Sequence, residues 1–263
     1  MIQLRPITLP FILTFLLMWN FASAQNDSII NTSIWWSKVE ALTPTKVALP
    51  DNFDNTQPHT LVIGLHGYGS TAESFLGLYK PFTDAGFIFA SPEASYPVLL
   101  NNGNLAFEWF LYDISSFIML ERPASELEKR AMRITAEKQM DQIMNDLETQ
   151  YNINKIIFMG FSQGGIITYL TGIHHHQKVD GIVILSSVVH EDWLGKDNIA
   201  AGKELPVLIV QGESDKLVPI EYAEYGRDLM IKNGYEVTYK KFDGAHTVQG
   251  ELLPFVIDWI NKK

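Results

Sequence analysis

The stretch Ile156-Ile157-Phe158-Met159-Gly160-Phe161-Ser162-Gln163-Gly164-Gly165 decides how this chain folds. Four apolar residues in a row, too few for a helix, read as a strand buried on both faces. The Gly-x-Ser-x-Gly that follows is a turn so tight that a Cβ on either side of the serine would hold the two backbones apart. From Gln163 onward the pattern is helical. A strand, a sharp turn and a helix in that order lift the Ser162 hydroxyl clear of a sheet edge, which makes Ser162 a candidate nucleophile.

Working outward, the same grammar repeats. Segments 60–65, 86–90, 155–159, 180–185, 205–210 and 235–242 read as strands, and 71–84, 125–151, 163–173, 219–233 and 250–261 as helices. Buried strands alternating with helices predict an α/β fold, a mostly parallel central sheet with helices on both faces. Ligands of such sheets gather at the carboxyl ends of the strands. The exception is 91–124, long for a plain loop and rich in aromatics, which is predicted to be a lid or pocket wall. Within it Phe107, Trp109 and Phe110 are candidate substrate-pocket residues, with ordinary core aromatics as the alternative.

The chain has 263 residues, 46% of them hydrophobic and 19% charged, enough to fill the core of one large domain. The domain plan is 1–24 as a signal peptide, 25–57 as an N-terminal arm with room for one edge strand, and 58–263 as the catalytic domain. Arg5, an interrupted apolar stretch from Pro6 to Phe21, and Ala22-Ser23-Ala24 before Gln25 make up the three parts of a secretory signal. Thr8, Pro10 and Thr14 break the apolar run that a membrane anchor would need. Cleavage near Ala24 predicts an exported protein, periplasmic or extracellular, with no stable membrane anchor. It removes Arg5 and no acid, leaving 19 basic and 30 acidic side chains and a formal charge of −11. Nucleic acid and anionic membranes are poor partners for that charge. With no cysteine in the chain, disulfides, thiolate metal sites and a cysteine nucleophile are all excluded. His174-His175-His176 has the look of a metal tract, but it falls at a predicted helix end where polar residues are ordinary, and no metal ligand is assigned.

A serine hydroxyl becomes a useful nucleophile when a base takes its proton, and the base must be oriented by an acid. Strand 205–210 runs into Gln211-Gly212-Glu213-Ser214-Asp215, so Asp215 stands on a strand-end loop, with Glu213 and Asp243 as alternative acids. Strand 235–242 runs into Asp243-Gly244-Ala245-His246, which offers His246 as the base. Acyl transfer further requires donors for the developing oxyanion. Leu65-His66-Gly67-Tyr68-Gly69 ends the first buried strand, and the backbone amides of Tyr68 and Gln163 are the expected oxyanion hole. His66 is read as structural support beneath that loop.

These residues carry a resemblance. Leu65-His66-Gly67-x-Gly69, Gly160-Phe161-Ser162-Gln163-Gly164-Gly165, Gly212-x-x-Asp215-x-x-Val218-Pro219 and Gly244-x-His246 together resemble the phospholipase/carboxylesterase family of α/β-hydrolases, which includes acyl-protein thioesterases. Pro92, Tyr96-Pro97 and Trp109-Phe110 are similar to that family's segment before its long helix. The resemblance implies hydrolysis of carboxylic esters or thioesters through an acyl-enzyme without a cofactor, by Ser162, Asp215 and His246 with the Tyr68 and Gln163 amides. Ser70 stands where the family often has an acid, and many members are cytosolic whereas this chain reads as exported. Candidate substrates are small-molecule, carbohydrate or lipid esters. Two other functions fit the same fold: a serine peptidase, disfavoured because no access-limiting domain is visible, and a non-catalytic binding protein, disfavoured by the complete set of three side chains. Oligomeric state is not readable.

Overall fold

The strands form where β-branched and aromatic residues run together between turn formers. A computed structural model describes residues 42–110 and 125–263. In chain order its strands are β1 (Thr45–Ala48), β2 (His59–Leu65), β3 (Ile88–Pro92), β4 (Tyr96–Leu99), β5 (Leu105–Glu108), β6 (Ile153–Phe161), β7 (Gly181–Leu185), β8 (Val207–Gly212) and β9 (Val237–Phe242). The helices are α1 (Ala72–Leu76), α2 (Tyr79–Asp84), α3 (Glu126–Gln150), α4 (Gln163–His174), α5 (Glu191–Leu194), α6 (Lys196–Ala201), α7 (Ile220–Lys232) and α8 (Leu253–Asn261). Seven strands make one sheet in the order β1-β3-β2-β6-β7-β8-β9. Only the edge pair β1–β3 is antiparallel, and the other pairs are parallel.

Strand alternation divides the core in two. Leu61, Ile63, Leu65, Ile156 and Phe158 point to the face covered by α3, α4 and α7, with Met140, Met144 and Ile167 among their neighbours. Val62, Ile157, Met159, Val183 and Leu208 point to the face covered by α1, α2 and α8, where Phe75, Phe82, Val256 and Trp259 meet them. Both faces being dry is why these strands lack polar alternation. The central strands therefore cannot shift register, and their carboxyl ends become a fixed rim on which the long loops stand.

Three segments depart from the sequence reading. The helix expected over 71–84 is two, α1 and α2, because Pro81 lacks an N–H and its ring would collide with the carbonyl one turn back. Restarting at Tyr79 puts that proline in a first turn, where neither defect matters. Residues 191–201, given no structure from the sequence, hold α5 and α6, separated by Gly195 at φ 76°. The segment 91–124 is not wholly irregular. Pro92 ends β3, and Tyr96–Leu99 and Leu105–Glu108 form an antiparallel hairpin, while 111–124 lie outside the described residues. The expected edge strand of the arm is β1. Ser125 caps α3, accepting from the Glu128 amide while the Glu128 carboxylate accepts from Ser125. The proposed signal segment, 1–24, lies outside the described residues.

Candidate active site

Ser162 stands between β6 and α4 with φ 54° and ψ −118°, a conformation that costs a non-glycine residue on the order of 1–3 kcal/mol. Several bonds hold the turn. The Ser162 amide donates to Leu185 O at 2.9 Å, and its carbonyl accepts from Gly165 N at 2.9 Å and from Ser187 Oγ at 2.6 Å. A Cβ on Gly160 would lie 2.3 Å from Gly164 O, and one on Gly164 would lie 2.3 Å from Leu65 O. The glycines are there for close approach: α4 starts hard against the ends of β2 and β6.

Asp215 is 6% exposed on the loop after β8, and both its oxygens are engaged. Oδ1 accepts from the amides of Leu217 at 2.9 Å and Val218 at 2.8 Å, while Oδ2 accepts from Gln211 Nε2 at 3.3 Å. Oδ2 also lies 2.7 Å from His246 Nδ1. Gln211 reaches on to Val218 O at 2.8 Å, closing the loop around the acid. Of the other two acids, Glu213 pairs with exposed Lys241 at 3.3 Å, and Asp243 is engaged through its carbonyl by Gln249. The imidazole contact falls to Asp215 alone. The His246 ring lies 4.7 Å, centroid to centroid, from Phe161, the residue before Ser162. Ser162 Oγ itself makes no hydrogen bond among the described residues, and such contacts tighten when substrate is present.

The loop after β2 closes the other side. A Cβ on Gly67 would come within 3.4 Å of Ser162 Cβ, which sets the loop beside the serine. The amides of Tyr68 and Gln163 donate to no other group among the described residues, and the second also opens a helix. His66 is fully buried, with Nδ1 2.8 Å from Gly67 O and Nε2 accepting from Ala94 N at 3.2 Å. The Trp109 indole donates to His66 O at 2.8 Å, and Gln163 clasps the same segment, its side chain accepting from Trp109 N and donating to Phe110 O, each at 2.8 Å.

Those contacts correct one expectation. Trp109 and Phe110, candidates for an open pocket wall, are 0% and 2% exposed in the core beneath the site, packed on His66 and Trp193. Phe107 alone of the three stays partly exposed, and its backbone bonds to Gly69 and Ser70 tie β5 to the loop carrying Tyr68. In the histidine tract, His174 Nδ1 lies 2.7 Å from Glu137 Oε1 and His175 Nε2 lies 3.3 Å from Asp141 Oδ1 of α3, and among the described residues no group of three or more His, Cys, Asp or Glu could hold a metal.

Glu108, which sequence reasoning passed over, lies next to this loop. It is 6% exposed, and burial pushes its pKa up to about 7. Burial and then the nearness of Glu108 raise the Tyr68 phenol as well. The available signal was an acid set inside an aromatic run, Phe107-Glu108-Trp109.

A parallel sheet with a strained serine turn, and an imidazole–carboxylate pair on neighbouring strand-end loops, defines an α/β-hydrolase. Comparison with known proteins agrees. The sequence pattern described as Phospholipase/Carboxylesterase matches residues 53–263, and the chain belongs to that family. It is an ester-hydrolysing serine hydrolase. Acyl-protein thioesterase 1 of Gibberella zeae is 26% identical over 226 residues, 80% of this chain and 94% of that protein. The protein of the same name from Yarrowia lipolytica is 25% identical over 76% of this chain and 90% of its own length. Among solved structures, esterase PE8 superposes with a TM-score of 0.67 at 23% identity, covering 84% of this chain and 99% of that one. A phospholipase/carboxylesterase from Dyadobacter fermentans gives 0.62 at 20% identity, covering 85% and 99%.

Proposed function

We propose that this chain cleaves carboxylic esters, thioesters included, through an acyl-enzyme formed on Ser162. His246 Nε2 accepts the Ser162 proton as Oγ attacks the carbonyl carbon, and the amides of Tyr68 and Gln163 receive the oxyanion. Collapse of the tetrahedral adduct breaks the bond to the leaving alcohol or thiol, which takes the proton from His246. Water, deprotonated by the same imidazole, then releases the acid. Asp215 fixes the ring so that Nε2 faces the serine. The observation that carries this reading is the 2.7 Å contact between His246 Nδ1 and a buried, fully engaged Asp215, on a loop against the Ser162 turn.

Labelling with a fluorophosphonate probe tests it. Wild type is expected to react and Ser162→Ala to stay blank, and an unlabelled but folded wild type would instead support a binding protein on the same fold. Rates on p-nitrophenyl acetate, butyrate and octanoate set against peptide amides separate an esterase from a peptidase, since amide preference ends the esterase reading. Location outside the cytoplasm, after cleavage near Ala24, is part of the proposal and is supported by the n-region, apolar stretch and Ala22-Ser23-Ala24 site. Amino-terminal sequencing of the protein from its own cells should begin at Gln25, and an intact Met1 would refute export.

A further inference from the structure

Glu108 ends β5 one residue beyond Phe107, whose backbone is bridged to Ser70 of the loop that carries Tyr68. On the other edge of β5 its partner is Tyr96 of β4, and paired residues of an antiparallel ladder share a face. Glu108 thus shares a face of the hairpin with Tyr96 and lies near Tyr68 of the loop carrying the proposed oxyanion amide. The residue as a whole is 6% exposed, and its carboxyl makes no hydrogen bond or ion pair among the described residues while its oxygens keep contact with solvent. Glu93, 8% exposed, shows how this fold treats an acid that serves structure: its Oε1 accepts from Ala72 N at 2.7 Å and lies 3.3 Å from His66 Nε2. A carboxyl on a largely enclosed residue, with no protein partner and with oxygens open to solvent, is free to take a hydrogen bond from a ligand.

We propose that Glu108, with the Tyr68 hydroxyl beside it, is a specificity residue that hydrogen-bonds a hydroxyl group of the bound ester, so that esters of polyols, sugars or hydroxy acids are preferred over plain alkyl esters. This rests on the esterase reading of Ser162 and refines its substrate class. Burial favours the neutral carboxyl up to about pH 7, and a neutral carboxyl both donates and accepts, which is what a hydroxyl requires. A cationic substrate would instead need the charged form in a place where burial opposes it.

The test compares kcat/KM within substrate pairs that differ by one group. 2-Hydroxyethyl butyrate against propyl butyrate probes the alcohol side, and p-nitrophenyl 3-hydroxybutyrate against p-nitrophenyl butyrate probes the acyl side. Wild type should favour the hydroxylated member of at least one pair by about tenfold or more. Glu108→Leu should bring that preference to within about twofold, and Glu108→Gln, which still donates and accepts, should keep most of it. No preference in wild type, or an undiminished one in Glu108→Leu, overturns the proposal. So does a larger preference for butyrylcholine over 3,3-dimethylbutyl butyrate that vanishes in Glu108→Gln, because the carboxylate would then be reading a cation. Should Glu108→Leu fail to fold, Tyr68→Phe keeps the backbone amide and carries the test: its preference should fall several-fold, and an unchanged one refutes the assignment. Fluorophosphonate labelling keeps the two failures apart. An unlabelled wild type sinks the esterase reading, whereas a labelled wild type indifferent to hydroxyls sinks only this one.

Discussion

A methyl group on Gly160 has nowhere to go. It would stand 2.3 Å from a backbone oxygen of α4 and 2.3 Å from Thr168 Oγ1, and neither the helix nor β6 can yield without breaking sheet pairing. Gly160→Ala is therefore expected to cost about 3 kcal/mol or more in urea denaturation, with activity lost along with the fold. Asp215→Asn makes the opposite trade. The variant should fold, because an amide oxygen can still accept from Leu217 and Val218, but its NH2 faces Nδ1 and favours the wrong tautomer. We expect kcat to fall on the order of 10^4-fold with an unchanged circular dichroism spectrum. Ser162, Asp215 and His246 stood out in the sequence because each lies just past a segment read as a strand. Glu108 was illegible for the converse reason, a carboxyl occupying the inward position that patterning rules reserve for apolar residues. Its pH signature is distinct. The folded-state pKa, about 7, lies above the unfolded value near 4.5, so the folded protein holds the extra proton between them and this group lowers stability as pH rises through that window. Thermal melts of Glu108→Gln and wild type should diverge in favour of the variant from pH 5 to pH 8.5, and a difference independent of pH would mean the carboxyl is better solvated than its burial indicates.

At the scale of elements, α3 and α4 are joined by side chains the sequence presented as a possible metal tract. His174 Nδ1 lies 2.7 Å from Glu137 Oε1, and Nε2 lies 2.9 Å from Leu194 O. The Glu137 contact raises the His174 pKa, against burial and the repulsion of Arg133. Because the folded value is above the unfolded one, the pair contributes most below about pH 6.5 and fades as pH rises through the folded pKa. His174→Gln should accordingly destabilise by on the order of 1 kcal/mol at pH 6 and by less at pH 8.5 in paired denaturation curves. The long helix itself was readable from its apolar spacing. The β4–β5 hairpin was not, because its pattern is inverted: Leu99 and Leu105 are cross-strand partners exposed to solvent at 72% and 60%, while Glu108 is turned in. Alternation of that sense reads as irregular chain to any rule that puts leucine inside. Likewise the break between α1 and α2 was encoded by Pro81, with Gly77 at the end of α1.

For the whole molecule, the sheet has two edges and no covalent brace, since the chain has no cysteine. One edge is closed by β1, whose residues 45–48 pair with Phe89–Pro92 in antiparallel register. Neighbouring contacts fasten the same stretch. Glu93 N donates to Pro44 O at 2.9 Å, Gln139 of α3 reaches Thr43 Oγ1 at 2.9 Å, and Lys46 pairs with Glu73 of α1. Farther along, Phe53 stacks edge-on against Tyr151, 5.7 Å between centroids, and Asn55 bonds to Asn152 at 2.9 Å. The motifs of the hydrolase begin near residue 58, and the match to the family begins at 53, so chemistry alone suggests that the arm is dispensable. Sheet physics says otherwise, because without β1 the outer backbone of β3 is a bare edge that invites pairing with another copy. A chain beginning at residue 42 and one beginning at residue 58 should therefore differ: the shorter is expected to melt roughly 10 °C lower, the shift that a loss of a few kcal/mol produces in a domain this size. It should also form aggregates that grow with concentration while the longer stays dispersed. Equal melting temperatures and equal light scattering would show that β3 tolerates an open edge and that β1 is only an ornament on the sheet.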